Sequence, residues 1–300
     1  MRSFCSPTRL RNLLNQIGSF PKKSLSQNFL IDGNILSKII DAASVQEEEE
    51  VLEVGSGSGF LTEALLEKKA NLTAVEKDPV FANHLRSLQK EYPNLKVYEE
   101  DFLQFSLEGK FSKKIKMVAN LPYHITSELF LRFFSYSSYF STLILMVQKE
   151  AAARILSSPS TKSYGPLSLL TAFYSKAQKL FDIPHSCFYP APKVDSTLLQ
   201  LHIERTLPQD IQKEFHRMVF RAFQQRRKKI TSSLKELYPP KLVQESLLEL
   251  HYKEEARPEE LTSSAFFHLF SYLQKKKRKT LSTDEKKSDS HPLLQKEESA

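Results

Sequence analysis

Between about residue 35 and residue 205, segments with helical periodicity alternate with short apolar runs of strand length. Such alternation is typical of a parallel β-sheet that carries helices on both faces. The last two apolar runs flank a proline-containing loop, and we expect them to form an antiparallel pair. The pattern therefore predicts an α/β fold with a seven-stranded, mostly parallel sheet, whose strands cover residues 51–54, 72–77, 95–101, 114–121, 142–148, 176–183 and 197–204.

The strand pattern stops after about Arg205, and apolar residues then recur at helical spacing over residues 211–225, 242–252 and 264–274. From Lys275 onward the chain is rich in Lys, Ser and Glu and offers little to bury. We therefore predict four regions, which are a basic N-terminal arm (1–34), the α/β domain (35–205), a small all-helical C-terminal domain (206–274) and a disordered basic tail (275–300).

The composition favours a protein that binds an anionic partner and does not enter a membrane. The net charge is +8 at pH 7, and no apolar run reaches the roughly 18 residues that span a bilayer. Nucleic acid is favoured over a membrane surface because no apolar anchor accompanies the charge. The two cysteines, Cys5 and Cys187, are too few for a disulfide framework or a zinc site. We therefore expect a cytoplasmic protein that needs no metal.

The amino terminus is basic, and its first carboxylate is Asp32. A mitochondrial transit peptide has such an Arg-rich, Ser-rich and acid-poor composition. A basic arm that contacts RNA phosphates has it too. Composition alone leaves both hypotheses open.

Three of the chain's seven glycines, Gly55, Gly57 and Gly59, directly follow the first predicted strand. Glycines in a strand-to-helix turn let backbone N–H groups approach a ligand closely. A dinucleotide fingerprint would need a glycine where the chain has Phe60, and the Gly-Lys-Ser/Thr of a P-loop is absent. The pattern is instead E-x-G-x-G-x-G, which begins at Glu53.

Three carboxylates, Glu53, Glu76 and Asp101, stand at the carboxyl ends of neighbouring predicted strands. Ligands bind at this edge of such sheets. The carboxylates would repel a pyrophosphate, but they suit a sulfonium cation that carries an amino-acid ammonium. Glu76 is also placed to accept both hydroxyls of a ribose. S-adenosylmethionine is therefore the predicted cofactor.

The tetrapeptide Asn120-Leu121-Pro122-Tyr123 ends the fourth predicted strand. The exocyclic amine of adenine is a poor nucleophile because its lone pair is delocalised into the ring. The Asn120 side-chain oxygen and the Leu121 carbonyl could accept its two hydrogens and draw the nitrogen toward sp³ character. Pro122 stiffens the turn, and Tyr123 offers a ring face for stacking. The alternative is a turn at the end of the strand whose asparagine has no catalytic role. The glycine loop disfavours this alternative, because it follows another strand of the same predicted sheet and so lies at the same edge.

Together these motifs resemble the ribosomal RNA adenine dimethyltransferase family of the kasugamycin-resistance type. The resemblance implies a Rossmann-like class I methyltransferase fold. It also implies dimethylation of the exocyclic amines of two adjacent adenosines in a hairpin of small-subunit (16S) rRNA, with a role in small-subunit biogenesis. It covers about residues 20 to 272 and rests on PKKSLSQNFLIDGNI (21–35), EVGSGSGFLT (53–62), VEKD (75–78), NLPYHIT (120–126), FYPAPKVDS (188–196) and RAFQQRRKKI (221–230).

On the cofactor side, the resemblance implies that Asn28 and Leu30 close over the cofactor. It assigns Gly55 to the methionine end, Glu76 to the ribose and Asp101 to the adenine amine. The chain departs from the family pattern in two places: a serine follows Gly55 where many members have proline, and the segment after residue 275 is additional.

On the substrate side, Lys22 and Lys23 would lie beside the RNA, and Asn120 would bridge cofactor and target. An adenine that leaves its stack needs an aromatic partner, and we predict that it lies between Tyr123 and Phe188. The alternative is that Phe188 packs in the core. A second group of basic residues lies in the RAFQQRRKKI segment and consists of Arg221, Arg226, Arg227, Lys228 and Lys229. This group is either a solvated helix face or a phosphate-binding site, and we favour phosphate contacts.

Three other functions were weighed against this one. A large-subunit rRNA adenine methyltransferase of the macrolide-resistance type shares the site motifs, although PAPKVDS and QRRKK favour the small-subunit family. A non-catalytic RNA-binding factor for ribosome assembly or transcription would show a decayed site, whereas every expected position is filled. Phe60 and the carboxylates disfavour a nicotinamide dehydrogenase. We expect a monomer that acts on small-subunit rRNA in the pre-30S particle and contacts no membrane.

Overall fold

The computed structural model of the chain describes residues 5–22 and 25–288. The chain forms two compact units, Met1–Gln209 and Asp210–Ala300. The boundary predicted from the sequence, between residues 205 and 206, lies a few residues earlier. None of the described helices is long and apolar enough to cross a membrane.

The helices and strands of the first unit alternate for most of its length. In chain order they are α1 (Pro7–Ile17), β1 (Phe29–Leu30), α2 (Gly33–Ala43), β2 (Glu50–Val54), α3 (Phe60–Leu66), β3 (Asn71–Glu76), α4 (Pro79–Leu88), β4 (Leu95–Glu99), β5 (Ile115–Asn120), α5 (Thr126–Ser135), β6 (Phe140–Gln148), α6 (Lys149–Ile155), α7 (Pro166–Tyr174), β7 (Ser175–Ile183), β8 (Phe188–Tyr189) and β9 (Ser196–Ile203).

A seven-stranded sheet in the order β4-β3-β2-β5-β6-β9-β7 forms the centre of the first unit. The strands from β4 to β6 are parallel, whereas β9 is antiparallel to both β6 and β7. The predicted α/β class, the mixed sheet and its closing antiparallel pair are therefore confirmed. Strands β5 and β6 are buried along almost their whole length, as expected for parallel strands that helices cover on both faces.

The chain reverses its direction of travel across the sheet between β2 and β5. From β2 it proceeds outward through β3 to β4 and then returns to the other side of β2. A crevice opens at such a switch point, at the carboxyl ends of the two strands, and ligands bind there. The glycine loop follows β2 and Asn120 ends β5, so a Cβ added at Gly55 would lie 3.8 Å from the Asn120 carbonyl oxygen.

Part of the predicted N-terminal arm is a helix that belongs to the core, which corrects the expectation of a separate arm. Leu10, Leu13 and Leu14 of α1 are buried in the main hydrophobic cluster. The Ser6 side chain caps the helix by accepting the Arg9 N–H, and Gly18 ends it with φ +61°. Leucines three and four residues apart, between a serine cap and a glycine, are a helix signal. The prediction of a basic arm rested on charge and did not include this signal.

A two-stranded antiparallel ribbon joins the last part of the predicted arm to the FYPAPKVDS segment. Phe29 pairs with Tyr189, and Leu30 pairs with Phe188. Strands of two residues carry no periodicity, so the sequence pattern could not predict this ribbon. The ribbon holds the segments before and after these two short strands together beside the carboxyl edge of the sheet.

The second unit is helical over its described residues. Its helices are α8 (Gln209–Phe223), α9 (Ile230–Ser233), α10 (Pro240–Glu249) and α11 (Ser263–Ser288). Phe215 of α8 lies at its centre, where its ring meets those of Phe267 and Phe270 at 5.2 and 5.3 Å between centroids. Residues 275–288 of the predicted disordered tail are part of α11, because Lys and Arg are good helix formers and extend a helix that the core has already nucleated. The remainder of that predicted tail lies outside the described residues.

Candidate active site

The glycine loop after β2 is shaped by direct contacts that only glycine permits. Gly57 has φ +50°, and a Cβ there would lie 3.0 Å from the Phe29 ring. The Gly55 N–H donates to the Val75 carbonyl at 2.9 Å, which ties the loop to β3. The loop therefore lies close against both the ribbon and the neighbouring strand.

Glu76, at the end of β3, is fixed by two backbone donors. Its carboxylate accepts the N–H of Gly57 and the N–H of Asp78, each at 2.8 Å. Burial raises the pKa of Glu76, and these hydrogen bonds oppose the rise. The carboxylate is thus oriented before any ligand arrives.

Glu53, at the base of the loop, is more deeply buried, and it accepts the Thr62 hydroxyl at 2.6 Å. Burial raises the pKa of Glu53 to about 7, against that hydrogen bond. Thr62 lies on α3, so this contact joins the strand before the loop to the helix after it. Glu53 gives the base of the site a group whose charge changes near neutral pH.

Asp101 lies beyond the end of β4 and is less buried. Lys77 donates to one carboxylate oxygen at 2.7 Å, and the Leu103 N–H donates to the other at 2.9 Å. Burial acts to raise the pKa of Asp101, but these two donors outweigh it and lower the pKa. Asp101 is therefore an ionised acceptor at neutral pH.

These groups line one cavity at the carboxyl edge of the sheet, which we call the inner cavity. All six predicted cofactor-binding residues are in its wall: Asn28, Leu30, Gly55, Glu76, Asp101 and Asn120. Glu53 lines it as well. Glu100 is a fourth acidic residue in the wall, and a cavity with four carboxylates and a glycine turn fits a cationic, nucleoside-containing ligand such as S-adenosylmethionine. Among the described residues, no group of three or more His, Cys, Asp and Glu side chains could hold a metal ion.

The predicted catalytic tetrapeptide borders the inner cavity. The Asn120 side-chain nitrogen donates to the Asn28 carbonyl at 3.0 Å, so Oδ1 is the atom that this amide still offers as an acceptor. The Leu121 side chain is buried, and its N–H donates to the Met146 carbonyl at 3.1 Å. Pro122 leads into a 3₁₀ turn that starts at Tyr123. The Tyr123 hydroxyl lies 2.6 Å from the Ser196 hydroxyl, which holds the hydroxyl end of the ring in place.

A second cavity, the outer cavity, adjoins the first. Ser26, Gln27, Asn28, Tyr123 and His124 line both cavities. The rest of its wall is formed by Pro21, Gln148, Pro190 and Ala191. Segment 25–28 thus separates the predicted cofactor side from an opening on the surface.

The segment before β1 is held in place by contacts that the sequence did not predict, and among their members Gln27, Asp78 and His124 were not predicted as site residues. Lys22 and Gln27 both donate to the carboxylate of Asp78, at 3.1 and 3.0 Å. Ser26 lies 2.9 Å from Nδ1 of His124. Asp78 stands two residues after Glu76, the predicted ribose-binding carboxylate. A carboxylate so close to the end of a predicted binding strand was the sequence signal that could have identified it.

Lys22, predicted to contact RNA, is therefore occupied within the protein. Its ammonium is 2.9 Å from a carboxylate, that of Asp78, whose side chain is fully buried, and a buried carboxylate needs its cation more than an exposed phosphate does. Lys23 lies outside the described residues.

Phe188 also differs from the prediction. Its side chain is 2% exposed and belongs to the main hydrophobic cluster, and it lines neither cavity. The ribbon turns its ring away from solvent and exposes its neighbour Tyr189 instead. The predicted sandwich of an adenine between Tyr123 and Phe188 is thus not formed in this structure.

The predicted phosphate-binding cluster lies in the second unit and mostly outside a helix. Helix α8 ends at Phe223, and residues 226–229 lie in the turn before α9. The chain leaves the helix because Ile230 is buried and its N–H donates to the Ala256 carbonyl at 2.9 Å. Three of the five cations form ion pairs within the unit, and these are Arg221 with Glu236, Arg226 with Glu259 and Lys229 with Glu255. Arg227 and Lys228 are exposed.

Comparison with known proteins gives one family for most of the chain. A family model described as ribosomal RNA adenine dimethylase matches residues 19–275. A protein of Protochlamydia amoebophila named ribosomal RNA small subunit methyltransferase A is 41% identical over 278 residues, which cover 91% of this chain and 98% of that protein.

Two solved structures share both fold and sequence with the chain. A dimethyladenosine transferase from Plasmodium falciparum matches with a TM-score of 0.69 and 28% identity, over 83% of this chain and 98% of that one. The 23S rRNA methyltransferase ErmE matches with a TM-score of 0.61 and 26% identity, over 82% of this chain and 100% of that one.

Proposed function

The chain belongs to the ribosomal RNA adenine dimethylase family, and on that premise we propose that it dimethylates the exocyclic amines of two adjacent adenosines in a hairpin of small-subunit (16S) rRNA. S-adenosylmethionine is the methyl donor in this proposal. The curated relative named above is a small-subunit methyltransferase by name, which favours the small subunit over the large one.

The position of Asn120 carries the proposal. Asn120 ends β5 at the switch point of the sheet, in the wall of the inner cavity and next to Asn28 and Tyr123, which line both cavities. Its amide nitrogen is held by the Asn28 carbonyl, so the orientation of its Oδ1 is set by the protein. An acceptor fixed at the junction of a cofactor cavity and an open cavity is what an amine acceptor at the point of transfer requires.

The residues of the inner cavity suit S-adenosylmethionine. Glu76, preset by two backbone donors, would accept the ribose hydroxyls, and Asp101 would accept the adenine amine. Gly55 and its loop would contact the methionine end, and the ligand's cationic groups would favour the ionised form of the nearby Glu53 carboxylate. When bound, S-adenosylmethionine supplies an electrophilic methyl group attached to a positively charged sulfur.

The target adenine would enter through the outer cavity. Asn120 Oδ1 and the Leu121 carbonyl accept the two hydrogens of its amine, which localises the nitrogen lone pair and directs it toward the inner cavity. Tyr123, whose hydroxyl is bonded to Ser196, offers its ring face to the base. After the transfer, the proton of the cationic methylated amine would leave to water.

Replacing the amine acceptor tests this proposal. Asn120→Ala should lower the rate of methyl transfer to unmethylated small-subunit rRNA by on the order of 100-fold, because the amine loses its orientation. Asn83→Ala is the matched control, since Asn83 is exposed on α4. Equal transfer rates for the two variants would contradict the assignment, provided that both melt like the wild type.

Other properties follow from the proposal rather than from the fold. A protein that modifies small-subunit rRNA acts where the pre-30S particle is assembled, which in a bacterium is the cytoplasm. We propose that it acts as a monomer and that the modification contributes to small-subunit biogenesis.

A further inference from the structure

The exposed large hydrophobic side chains of the first unit are concentrated at one place. Within the described part of that unit they are Phe20, Tyr189 and Val194, with exposed fractions of 75%, 52% and 43%. Single exposed hydrophobic residues are ordinary, whereas a concentration of them marks a binding surface. All three lie on the two segments that contribute Pro21, Pro190 and Ala191 to the wall of the outer cavity.

Each of the two aromatic rings directly precedes a proline of that wall. Phe20 precedes Pro21, and Tyr189 precedes Pro190. The rings therefore lie on two different segments, each next to a residue of the cavity through which the target base would pass. The outer cavity itself reaches Tyr123 and Asn28 of the reaction site.

The backbone that carries both rings is anchored on either side. The Ser19 N–H donates to the Leu14 carbonyl at 3.0 Å, and the Lys22 N–H donates to the Gln27 side chain at 2.8 Å. Tyr189 is held in the ribbon by its pairing with Phe29. Exposed rings on a fixed backbone lose little conformational freedom when a flat partner stacks on them.

The occupant that suits these rings is a nucleobase. Removing one adenine from an RNA stack leaves its two neighbours without a stacking partner on one side. Aromatic side chains replace such stacking without reading the sequence, and each base–aromatic stack corresponds to roughly 5- to 150-fold in affinity. Lys193 is exposed on the same loop as Tyr189, which suits the phosphates that connect these bases.

We propose that Phe20 and Tyr189 are stacking platforms for the nucleobases on either side of the adenosine that enters the site. This inference rests on the proposed function, because it takes the substrate to be RNA. Since the two target adenosines are adjacent, one platform would hold the second adenosine while the first is methylated. The platforms are distinct from Phe188, which the ribbon buries.

A fluorescent base analogue measures the stacking directly. In the small-subunit hairpin, 2-aminopurine replaces the nucleotide beside the target, and its fluorescence is followed as the full-length protein binds. The wild type should quench the probe. Phe20→Ala and Tyr189→Ala should each weaken RNA binding roughly 5- to 150-fold and reduce the quenching at saturation, with cofactor affinity and melting temperature unchanged.

Three further variants separate stacking from simple apolar contact. Phe20→Tyr and Tyr189→Phe keep a ring and should retain both quenching and affinity, whereas Phe20→Leu should behave like Phe20→Ala. Leu248→Ala is the control, because Leu248 is 54% exposed in the second unit, and it should have no effect. Full affinity in the Phe20→Leu variant would overturn the proposal, since an apolar surface for a protein partner would then account for the exposed ring.

Kinetics distinguish failure of the platforms from failure of the proposed function. In the alanine variants the Michaelis constant for RNA should rise while the rate at saturating RNA stays within a few-fold of the wild type. A wild type that methylates the RNA, with alanine variants that bind and quench equally well, overturns the platforms alone. A wild type that neither quenches nor methylates overturns both.

Discussion

Phe188 is the residue whose surroundings say most about how this site is built. Its ring is buried in the ribbon opposite Leu30, so the protein uses it to hold the FYPAPKVDS segment against β1. The adjacent position, Tyr189, is half exposed. Adjacent residues of a strand point to opposite faces, and the ribbon's register therefore decides which of the two aromatics meets solvent.

If Phe188 is a packing residue, Phe188→Ala should destabilise the protein. Loss of a buried phenylalanine costs about 3–5 kcal/mol, so the melting temperature should fall by several degrees, and methyl transfer should fall only in proportion to the folded fraction. Phe20→Ala is the matched control for melting, because the Phe20 ring is 75% exposed. Unchanged melting with a strong loss of transfer would instead show that Phe188 stacks on the base.

At this scale the sequence predicted the cofactor side better than the substrate side. Gly55, Glu76 and Asn120 stand at strand ends, and parallel strands bring such positions together whatever the details of packing. Lys22 could not be assigned from the sequence, because its partner Asp78 is distant along the chain and the pair depends on how segment 22–28 folds back.

Among the elements, α1 contacts α3, the helix that follows the glycine loop. Arg9 on α1 donates to the Glu63 carboxylate at 2.5 Å, and its guanidinium lies 5.2 Å from the centroid of the Phe60 ring. Phe60 begins α3 directly after the loop and lines the inner cavity. Helix α1 begins at Pro7, ahead of the family match that starts at residue 19, and its Arg9 supports α3 beside the inner cavity.

Arg9→Ala should therefore weaken cofactor binding by a few-fold and lower stability by about 1–3 kcal/mol, because it leaves the largely buried Glu63 carboxylate without its cation. Arg9→Lys should recover part of both effects. Calorimetric titration with S-adenosylmethionine and thermal melting check them, with Arg11→Ala, an exposed position on the same helix, as the control. Identical results for Arg9→Ala and Arg11→Ala would show that α1 does not brace the loop.

The elements that the sequence predicted are those with a clear period. Runs of strand length indicated all seven strands of the sheet. The signal is clearest for β5 and β6, which are buried along almost their whole length and are apolar for that reason, whereas the edge strands β4 and β7 are partly exposed. The two-residue strands β1 and β8 have no period to detect, and they pair only because the fold brings residues 29–30 and 188–189 together.

In the whole molecule, several of the cations predicted to contact RNA form internal ion pairs, which leave the net charge of +8 unchanged. Arg226 and Lys229 pair with glutamates of the second unit, and Lys22 pairs with a buried aspartate of the first. Contacts to RNA phosphates from residues 226–229 would thus fall mainly to the exposed Arg227 and Lys228. Net charge predicted an anionic partner, but it could not show which cations are available, since ion pairing depends on residues far apart in the sequence.

The central claim is that the chain dimethylates two adjacent adenosines of small-subunit rRNA, and mass spectrometry of the product RNA tests it most directly. The purified protein and S-adenosylmethionine would be incubated in parallel with unmodified small-subunit and large-subunit particles. We expect two neighbouring dimethyladenosines in one hairpin of the small-subunit rRNA. In an incubation of the same short duration, the Asn120→Ala variant should yield on the order of 100-fold less product. Methylation of the large-subunit rRNA in place of the small-subunit rRNA, or of neither, would contradict it.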